Sequence, residues 1–130
     1  MPEVFIVADD LGLDSSINDG IIYLLKNNFV SGASVMANGP AFDQALRKLA
    51  ELENPNIGIH FVLVEEKPLA MKSLSKNHQT FFIKYILGLI NVTEIEKELR
   101  VQLEAVKGAG LSISFINSHQ HLHLLPAIAD

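Results

Sequence analysis

Three of the five histidines in this 130-residue chain, His119, His121 and His123, lie within five positions of the stretch FINSHQHLHLLP. In an extended backbone all three side chains would share one face, whereas in a helical turn only His119 and His123 would align. Either arrangement gathers at least two imidazoles, which is costly if they become charged without a metal ion, an acid or solvent nearby. The cluster therefore favours a metal site over three unrelated surface histidines.

Two adjacent aspartates, Asp9 and Asp10, follow the apolar run VFIVA. Such a pair is most often a turn or helix-capping feature, but it could also supply metal ligands, or one ligand beside a general base. Because neighbouring carboxylates repel unless a cation or a shared proton separates them, a bound cation would account for the pair. His60, in the apolar stretch IGIHFVL, is either a hydrogen-bonded core histidine, the commoner case, or a metal ligand. His78, in KNHQT, is expected to be solvated and without a role.

The chain contains no cysteine, so a metal ion would be held by oxygen and nitrogen ligands only. Carboxylates and imidazoles suit zinc, manganese, cobalt, nickel or magnesium, and three protein ligands with open positions are typical of a catalytic site. A divalent ion of this kind makes water nucleophilic and polarises a carbonyl, which points to hydrolysis. The sequence lacks the glycine-rich patterns of dinucleotide and ATP sites and the G-x-S-x-G of a serine nucleophile.

Length and composition predict one globular domain over residues 1–130, with 48% hydrophobic and 19% charged residues. A net charge of −5 with scattered basic residues argues against nucleic-acid binding. The stretch MPEVFIVADD lacks the basic start and long apolar run of a signal peptide, so a cytoplasmic location is expected. The most apolar stretch, FFIKYILGLI, is too short to span a membrane and contains Lys84.

Strand-like and helix-like patterns alternate along the chain. Short apolar runs predict strands at residues 4–8, 30–36, 57–63 and 113–117. Three amphipathic segments between these runs predict helices, whereas residues 64–79 are expected to be loop. This alternation indicates parallel βαβ units, in an α/β fold whose sheet is open or closed into a barrel.

The predicted helices have recognisable starts. The first would be capped by Ser15 or Ser16, the second would begin at Pro40, and the third would open with a capping box formed by Thr93 and Glu96. In parallel α/β folds the chemically active residues sit at the carboxyl ends of the strands. The paired aspartates after the first strand and the histidines of the third and fourth strands are therefore expected to meet at one edge of the sheet.

Four stretches resemble, in order and spacing, the successive motifs of the YdjC-like carbohydrate deacetylases: VADDLGLDSSINDGI, VSGASVMANGPAFDQAL, IGIHFVL followed by KPL, and INSHQHLHLLP. The resemblance runs from about residue 4 to the last residue. Four motifs in register are much more specific than any one of them. The spelling NSHQHLHLLP is most similar to the branch associated with hopanoid biosynthesis, and the chitooligosaccharide deacetylases are close relatives.

The resemblance implies a partial, distorted (β/α) barrel of the polysaccharide-deacetylase type and a divalent metal ion, zinc or magnesium, held by Asp10, His60 and His119. It gives Asp9 the role of general base, which deprotonates the water that attacks the acetamide carbonyl of an N-acetylated sugar or glycolipid. The products would be an amine and acetate. His121 and His123 would then orient the ligands or contact the substrate.

The chain departs from the family pattern in two residues and in extent. Leu11 stands where many relatives have phenylalanine, and Asn117 stands where many have aspartate, which removes a charge beside the ligands. The chain corresponds to the amino-terminal half of longer family members, whose other half is thought to supply the general acid. Half a barrel would leave strand backbone and apolar surface uncovered, so a homo-oligomer or completion by a second chain is expected. The alternatives are a metal-binding chain without catalysis and a self-associating module.

Overall fold

The computed structural model describes residues 4–129 of the chain. Four parallel strands form one sheet in the order β1-β2-β3-β4, so each strand pairs with the next along the chain. These strands are β1 (Val7–Leu11), β2 (Gly32–Val35), β3 (Ile57–Phe61) and β4 (Ile113–Ser118). The predicted α/β architecture of parallel βαβ units is confirmed.

Helices connect the strands. The first two crossovers contain one helix each, the third contains two, and a 3-10 segment with a short helix follows the last strand. In chain order these elements are α1 (Ser15–Lys26), α2 (Phe42–Leu49), α3 (His78–Ile86), α4 (Val92–Gly108), the 3-10 segment (His119–Leu124) and α5 (Pro126–Ala129). None of the helices in the described range has the length and apolar character that a bilayer crossing requires.

One face of the sheet forms the main hydrophobic core. β2 and β3 are buried at every residue, as expected for central strands of a parallel sheet. Apolar strand residues such as Val35 and Ile59 pack against Ile21 of α1, Leu49 of α2 and Val106 of α4. Because burial of each such side chain contributes about 1.5–3 kcal/mol, this layer fixes the strands and their register.

The first strand begins later than the sequence predicts. β1 covers Val7–Leu11 rather than residues 4–8, so Asp9 and Asp10 lie inside the strand and not after it. The pairing with β2 is irregular around Asp10, whose φ of 67° lies in the left-handed region. Such a bulge bends the strand and redirects side chains, which lets a strand next to the core carry two carboxylates.

All three predicted helix starts differ from the observed ones. α2 begins at Phe42 rather than at Pro40. α1 is capped by Asp14 rather than by Ser15 or Ser16, and α4 is capped by Asn91 rather than by Thr93. In both cases the side-chain oxygen accepts a hydrogen bond from a backbone N–H in the first turn. Several residues with strong N-cap preference stand next to one another here, so local sequence does not decide which of them takes the position.

A helix, α3, begins where the sequence predicts loop. Asn77 caps it by accepting a hydrogen bond from the backbone N–H of Thr80 at 2.9 Å, and His78 is its first residue. Phe81 is buried, while Phe82 on the adjoining side is about half exposed. Because apolar residues occur on both sides of this helix, the sequence shows no clear amphipathic period there.

The buried face of α4 contains two polar residues, Glu98 and Gln102, which the sequence does not predict to be buried. The carboxylate of Glu98 accepts hydrogen bonds of 2.6–2.9 Å from the three backbone N–H groups of residues 69–71. Gln102 bonds both the N–H and the C=O of Val62. The two side chains therefore satisfy backbone groups that would otherwise need water, and they hold the loop after β3 in place.

Candidate metal centre

A row of polar side chains crosses the sheet on the face opposite the main core. Asp9 of β1, Ser34 of β2, His60 of β3 and Asn117 of β4 each contribute one side chain to it. Ser34 Oγ donates to Asp9 Oδ1 at 2.6 Å and lies 3.2 Å from His60 Nδ1. Asn117 bonds the same Asp9 Oδ1 through Nδ2 at 2.6 Å, and its own Oδ1 lies 2.7 Å from His60 Nδ1. Neighbouring parallel strands thus bring four distant residues into one hydrogen-bonded row.

This row determines which nitrogen of His60 carries the proton. An ionised Asp9 can only accept hydrogen bonds, so the amide nitrogen of Asn117 must face it. The amide oxygen of Asn117 then faces His60, and the Nδ1 of His60 must be the donor in that contact. The neutral ring therefore has its lone pair on Nε2, on the side away from Asn117.

Asp10 is the common neighbour of two imidazoles. Its Oδ1 lies 3.1 Å from His60 Nε2 and 3.0 Å from His119 Nδ1. One ligand atom from each of the three residues lies within 4.8 Å of the other two, so Asp10, His60 and His119 form a group that could hold a metal ion. The left-handed backbone of Asp10 costs about 1–2 kcal/mol, and conformations of this kind cluster at functional sites.

The unpaired Nε2 of His60 is the feature of this group that best fits a bound metal ion. Although Asp10 Oδ1 is close, the contact does not have hydrogen-bond geometry, and within residues 4–129 no hydrogen-bond partner satisfies this buried nitrogen. Buried polar atoms are nearly always paired, so an unpaired lone pair that faces a carboxylate needs an explanation. A cation between the two atoms would give both of them a partner.

The burial of His60 also favours the ligand form of the ring. Burial lowers the pKa of His60 below its ordinary value of 6.5, against the hydrogen bond that His60 donates to Asn117 and the charges of Asp10 and Asp9, which act to raise it. A lowered pKa keeps the imidazole neutral at neutral pH, and the neutral ring is the form that binds metal ions.

The histidines of the HQHLH stretch make different contacts, although His119 and His121 line one shallow pocket together. Only His119 reaches Asp10, whereas His121 is exposed and His123 Nδ1 lies 2.5 Å from the hydroxyl of Ser118. Gln120 and His121 both have left-handed φ values, 58° and 55°, which turn successive side chains in different directions. Neither extended nor regular helical backbone describes the segment.

The polar groups line a shallow pocket of about 230 Å³ that includes Asp9, Asp10, His60 and His119. A larger cleft of about 410 Å³ lies between β3, α4 and α5 and is mainly apolar. The group able to hold a metal ion lines the smaller pocket and not the larger cleft.

A family model described as YdjC-like protein matches residues 3–130. The chain belongs to the YdjC-like family. The expected family membership is therefore confirmed, and the match covers all four motifs on which the resemblance was based.

The relatives of this YdjC-like chain are longer than it is. It is 37% identical to a carbohydrate deacetylase of Geobacillus stearothermophilus, over 98% of this chain and 54% of the relative. It is 35% identical to a chitooligosaccharide deacetylase of Enterobacter sp. (strain 638), over 98% of this chain and 53% of the relative. The chain thus spans about half the length of the curated relatives it matches.

A solved structure supports the fold. The crystal structure of a candidate cellobiose-phosphate cleavage protein from Enterococcus faecalis V583 superimposes with a TM-score of 0.80 at 23% sequence identity. The match covers 92% of this chain and 49% of that chain. At this level of identity the superposition shows a shared fold, and this shared fold agrees with the expected partial barrel.

The YdjC-like site also contains residues that sequence reasoning missed. Ser34 gave no signal, because a serine inside VSGASVM has no pattern that distinguishes it from a filler of a buried strand. Glu65 was placed in a loop without a role, yet its Oε2 lies 3.2 Å from His119 Nε2. Asn117 was noted only as a lost charge, whereas it bonds both Asp9 and His60.

Proposed function

We propose that this chain forms the metal-binding half of a carbohydrate deacetylase, a metal-dependent hydrolase that cleaves the amide C–N bond of N-acetylated sugars. The observation that carries the proposal is the convergence of Asp10, His60 and His119 on one point beside Asp9. The names of the relatives, carbohydrate and chitooligosaccharide deacetylase, supply the substrate class. A cytoplasmic location stays a prediction from the sequence.

Asp10, His60 and His119 are proposed to hold the divalent ion. One carboxylate and two imidazoles make a three-residue set that leaves positions open, as in catalytic zinc sites, and magnesium is the other candidate. When bound, such an ion acts as a Lewis acid that polarises a carbonyl and makes water nucleophilic at neutral pH. The unpaired Nε2 of His60 supports this assignment.

Asp9 is proposed as the general base. Its hydrogen bonds from Ser34 and Asn117 both end on Oδ1, so in the described part of the chain Oδ2 remains to accept a proton from water. The two donors fix the orientation of the carboxylate. Water adds to the acetamide carbonyl carbon, the C–N bond then breaks, and acetate and the amine of the sugar are released.

The leaving nitrogen needs a proton from a general acid, which we propose comes from a second chain or from the part of the fold that the longer relatives contain. Within residues 4–129 β4 pairs with β3 only, and Ile116 in β4 is 58% exposed. An edge strand with exposed apolar residues invites another chain, so we propose a homo-oligomer or a complex with a completing chain. Light scattering of the purified protein measures this directly.

The proposal is tested by two measurements on the same protein. We expect stoichiometric zinc binding in calorimetry and, when a completing half is present, acetate release from N-acetylated sugar oligomers or an N-acetylated glycolipid. His119→Ala should abolish both. His78→Ala is the matched control, because His78 is an exposed histidine at the start of α3 and outside the group of three proposed ligands.

Full zinc occupancy in His119→Ala would contradict the ligand assignment. Tight zinc binding by wild type without acetate release, even with a completing half, would favour the alternative of a non-catalytic metal-binding chain. Oligomers that persist in the presence of chelator without zinc binding would favour the self-associating module.

A further inference from the structure

We infer that Glu65 is the positioning residue for His119: it holds Nε2 of the imidazole, so that Nδ1 is presented to Asp10 and to a metal ion. This inference rests on the proposed metal site and adds to it a residue and a coordination pattern. Glu65 lies in the loop after β3, outside the group of three proposed ligands.

The imidazole of His119 is held between two carboxylates. Its Nε2 lies 3.2 Å from Glu65 Oε2, and its Nδ1 lies 3.0 Å from Asp10 Oδ1. A neutral imidazole has one donor and one acceptor nitrogen. Because both carboxylates accept, a neutral ring can donate to only one of them. A cation beside Asp10 would take the Nδ1 lone pair, and Nε2–H would then donate to Glu65. Histidines that bind metal ions usually donate their other N–H to such an acceptor.

The backbone of Glu65 is strained and firmly held. Its φ of 71° is left-handed, which is costly for a residue with a Cβ. Its N–H donates to the carbonyl of Ser75 at 2.9 Å, next to a bridge between Val64 and Ser75. Strained conformations persist where the surrounding structure over-determines them, and they cluster at functional sites.

Two further contacts anchor the same loop. The buried carboxylate of Glu98 accepts from the backbone of residues 69–71, and Asn38 Nδ2 donates to the carbonyl of Lys67 at 3.0 Å. The loop therefore places the Glu65 carboxylate beside His119 without relying on the flexible side chain alone. Preorganised support of this kind is what a ligand needs to keep its ring orientation.

The two histidines are thus held at opposite nitrogens. Asn117 occupies Nδ1 of His60, which leaves Nε2 towards Asp10, whereas Glu65 occupies Nε2 of His119, which leaves Nδ1. The geometry predicts mixed coordination, through Nε2 of one imidazole and Nδ1 of the other. This pattern is specific enough to be measured.

The experiment uses the full chain with ¹⁵N-labelled histidine and zinc. Long-range ¹H–¹⁵N correlation spectra of the zinc-loaded wild type should show Nε2 of His60 and Nδ1 of His119 as the metal-bound nitrogens. Glu65→Ala should lower zinc affinity about 10–100-fold, as loss of an outer acceptor typically does, and Glu65→Gln should recover part of it because its amide oxygen can still accept. Glu66→Ala is the matched control in the same loop.

Each outcome bears on the inference. Zinc bound through Nε2 of His119 would overturn it and leave the proposed function standing, as would a Glu65→Ala variant with unchanged zinc affinity and ring orientation. A wild-type chain that binds no zinc would overturn both proposals. Circular dichroism of the variants identifies any loss of fold, and in that case Glu65→Gln carries the test.

Discussion

Asn117 donates a hydrogen bond from its Nδ2 to Oδ1 of Asp9 over 2.6 Å, although 108 residues separate the two in the chain. An aspartate at this position could not donate, and its carboxylate would face that of Asp9. The asparagine is therefore not simply a lost charge, as the sequence suggested. Its amide N–H₂ donates to Asp9, the proposed base, and its amide oxygen accepts from His60, a proposed ligand.

Replacing Asn117 by alanine should weaken the site and the fold together. The variant loses one bond to the Asp9 carboxylate and the acceptor for His60 Nδ1–H, so we expect the free energy of unfolding to fall by about 1–3 kcal/mol. Zinc affinity should fall about 10–100-fold, because His60 loses its orientation. Urea unfolding and calorimetry measure the two effects. Gln79→Ala, at an exposed position of α3, should change neither.

Zinc should stabilise the wild-type chain against unfolding. An ion that binds only the folded state at a free concentration 100 times its Kd adds about 2.7 kcal/mol to the free energy of unfolding. We therefore expect a higher Tm with zinc than with chelator in a thermal melt. The Tm of His119→Ala should be the same under both conditions. An equal zinc-dependent rise in that variant would show that the ion binds elsewhere.

The pH dependence of stability should contain a contribution from Glu98. Burial alone would raise the pKa of Glu98, yet hydrogen bonds from Gln102 and the backbone of residues 69–71 hold it below the ordinary value of 4.5. Because the folded pKa is the lower one, the carboxylate stabilises the folded protein above pH 4.5, and this stabilisation is lost as the pH falls through the folded pKa.

Glu98→Gln tests that contribution. The variant places an amide N–H₂ group where backbone donors converge, so we expect the free energy of unfolding at pH 7 to fall by about 1–3 kcal/mol. Its loss of stability between neutral and acidic pH should also be smaller than that of wild type. Urea titrations at a series of pH values measure both. Glu104→Gln, exposed on the same helix, should keep the wild-type slope.

The φ of His121 lies in the left-handed region, so substitutions at this position test the cost of backbone strain. His121→Gly should be more stable than His121→Ala by about 1 kcal/mol, because glycine adopts a φ of 55° without a Cβ clash. Both variants should bind zinc as wild type does, since His121 lies outside the proposed ligand group. A matching loss of zinc affinity in both variants would instead make its imidazole part of the site.

The sequence predicted the elements whose signals are local. Apolar runs and amphipathic periods gave four parallel strands and most helices, since the burial of one face is recorded every second or every third to fourth residue. Where several capping residues adjoin, as at Asp14, or where both sides of a helix are apolar, as in α3, the local signal did not decide the boundary.

By itself, then, the sequence determined the strand and helix alternation and the kinds of ligand available: carboxylate and imidazole without thiolate. Only the tertiary structure decided that Asp10 lies in a bulge of β1, that His119 contacts Asp10, and that Glu65 contacts His119. Those contacts join residues 54 to 109 positions apart, and they depend on strand register and loop anchoring. No local sequence pattern records strand register or loop anchoring, because both arise only when the packed sheet and its loops fix the backbone in space.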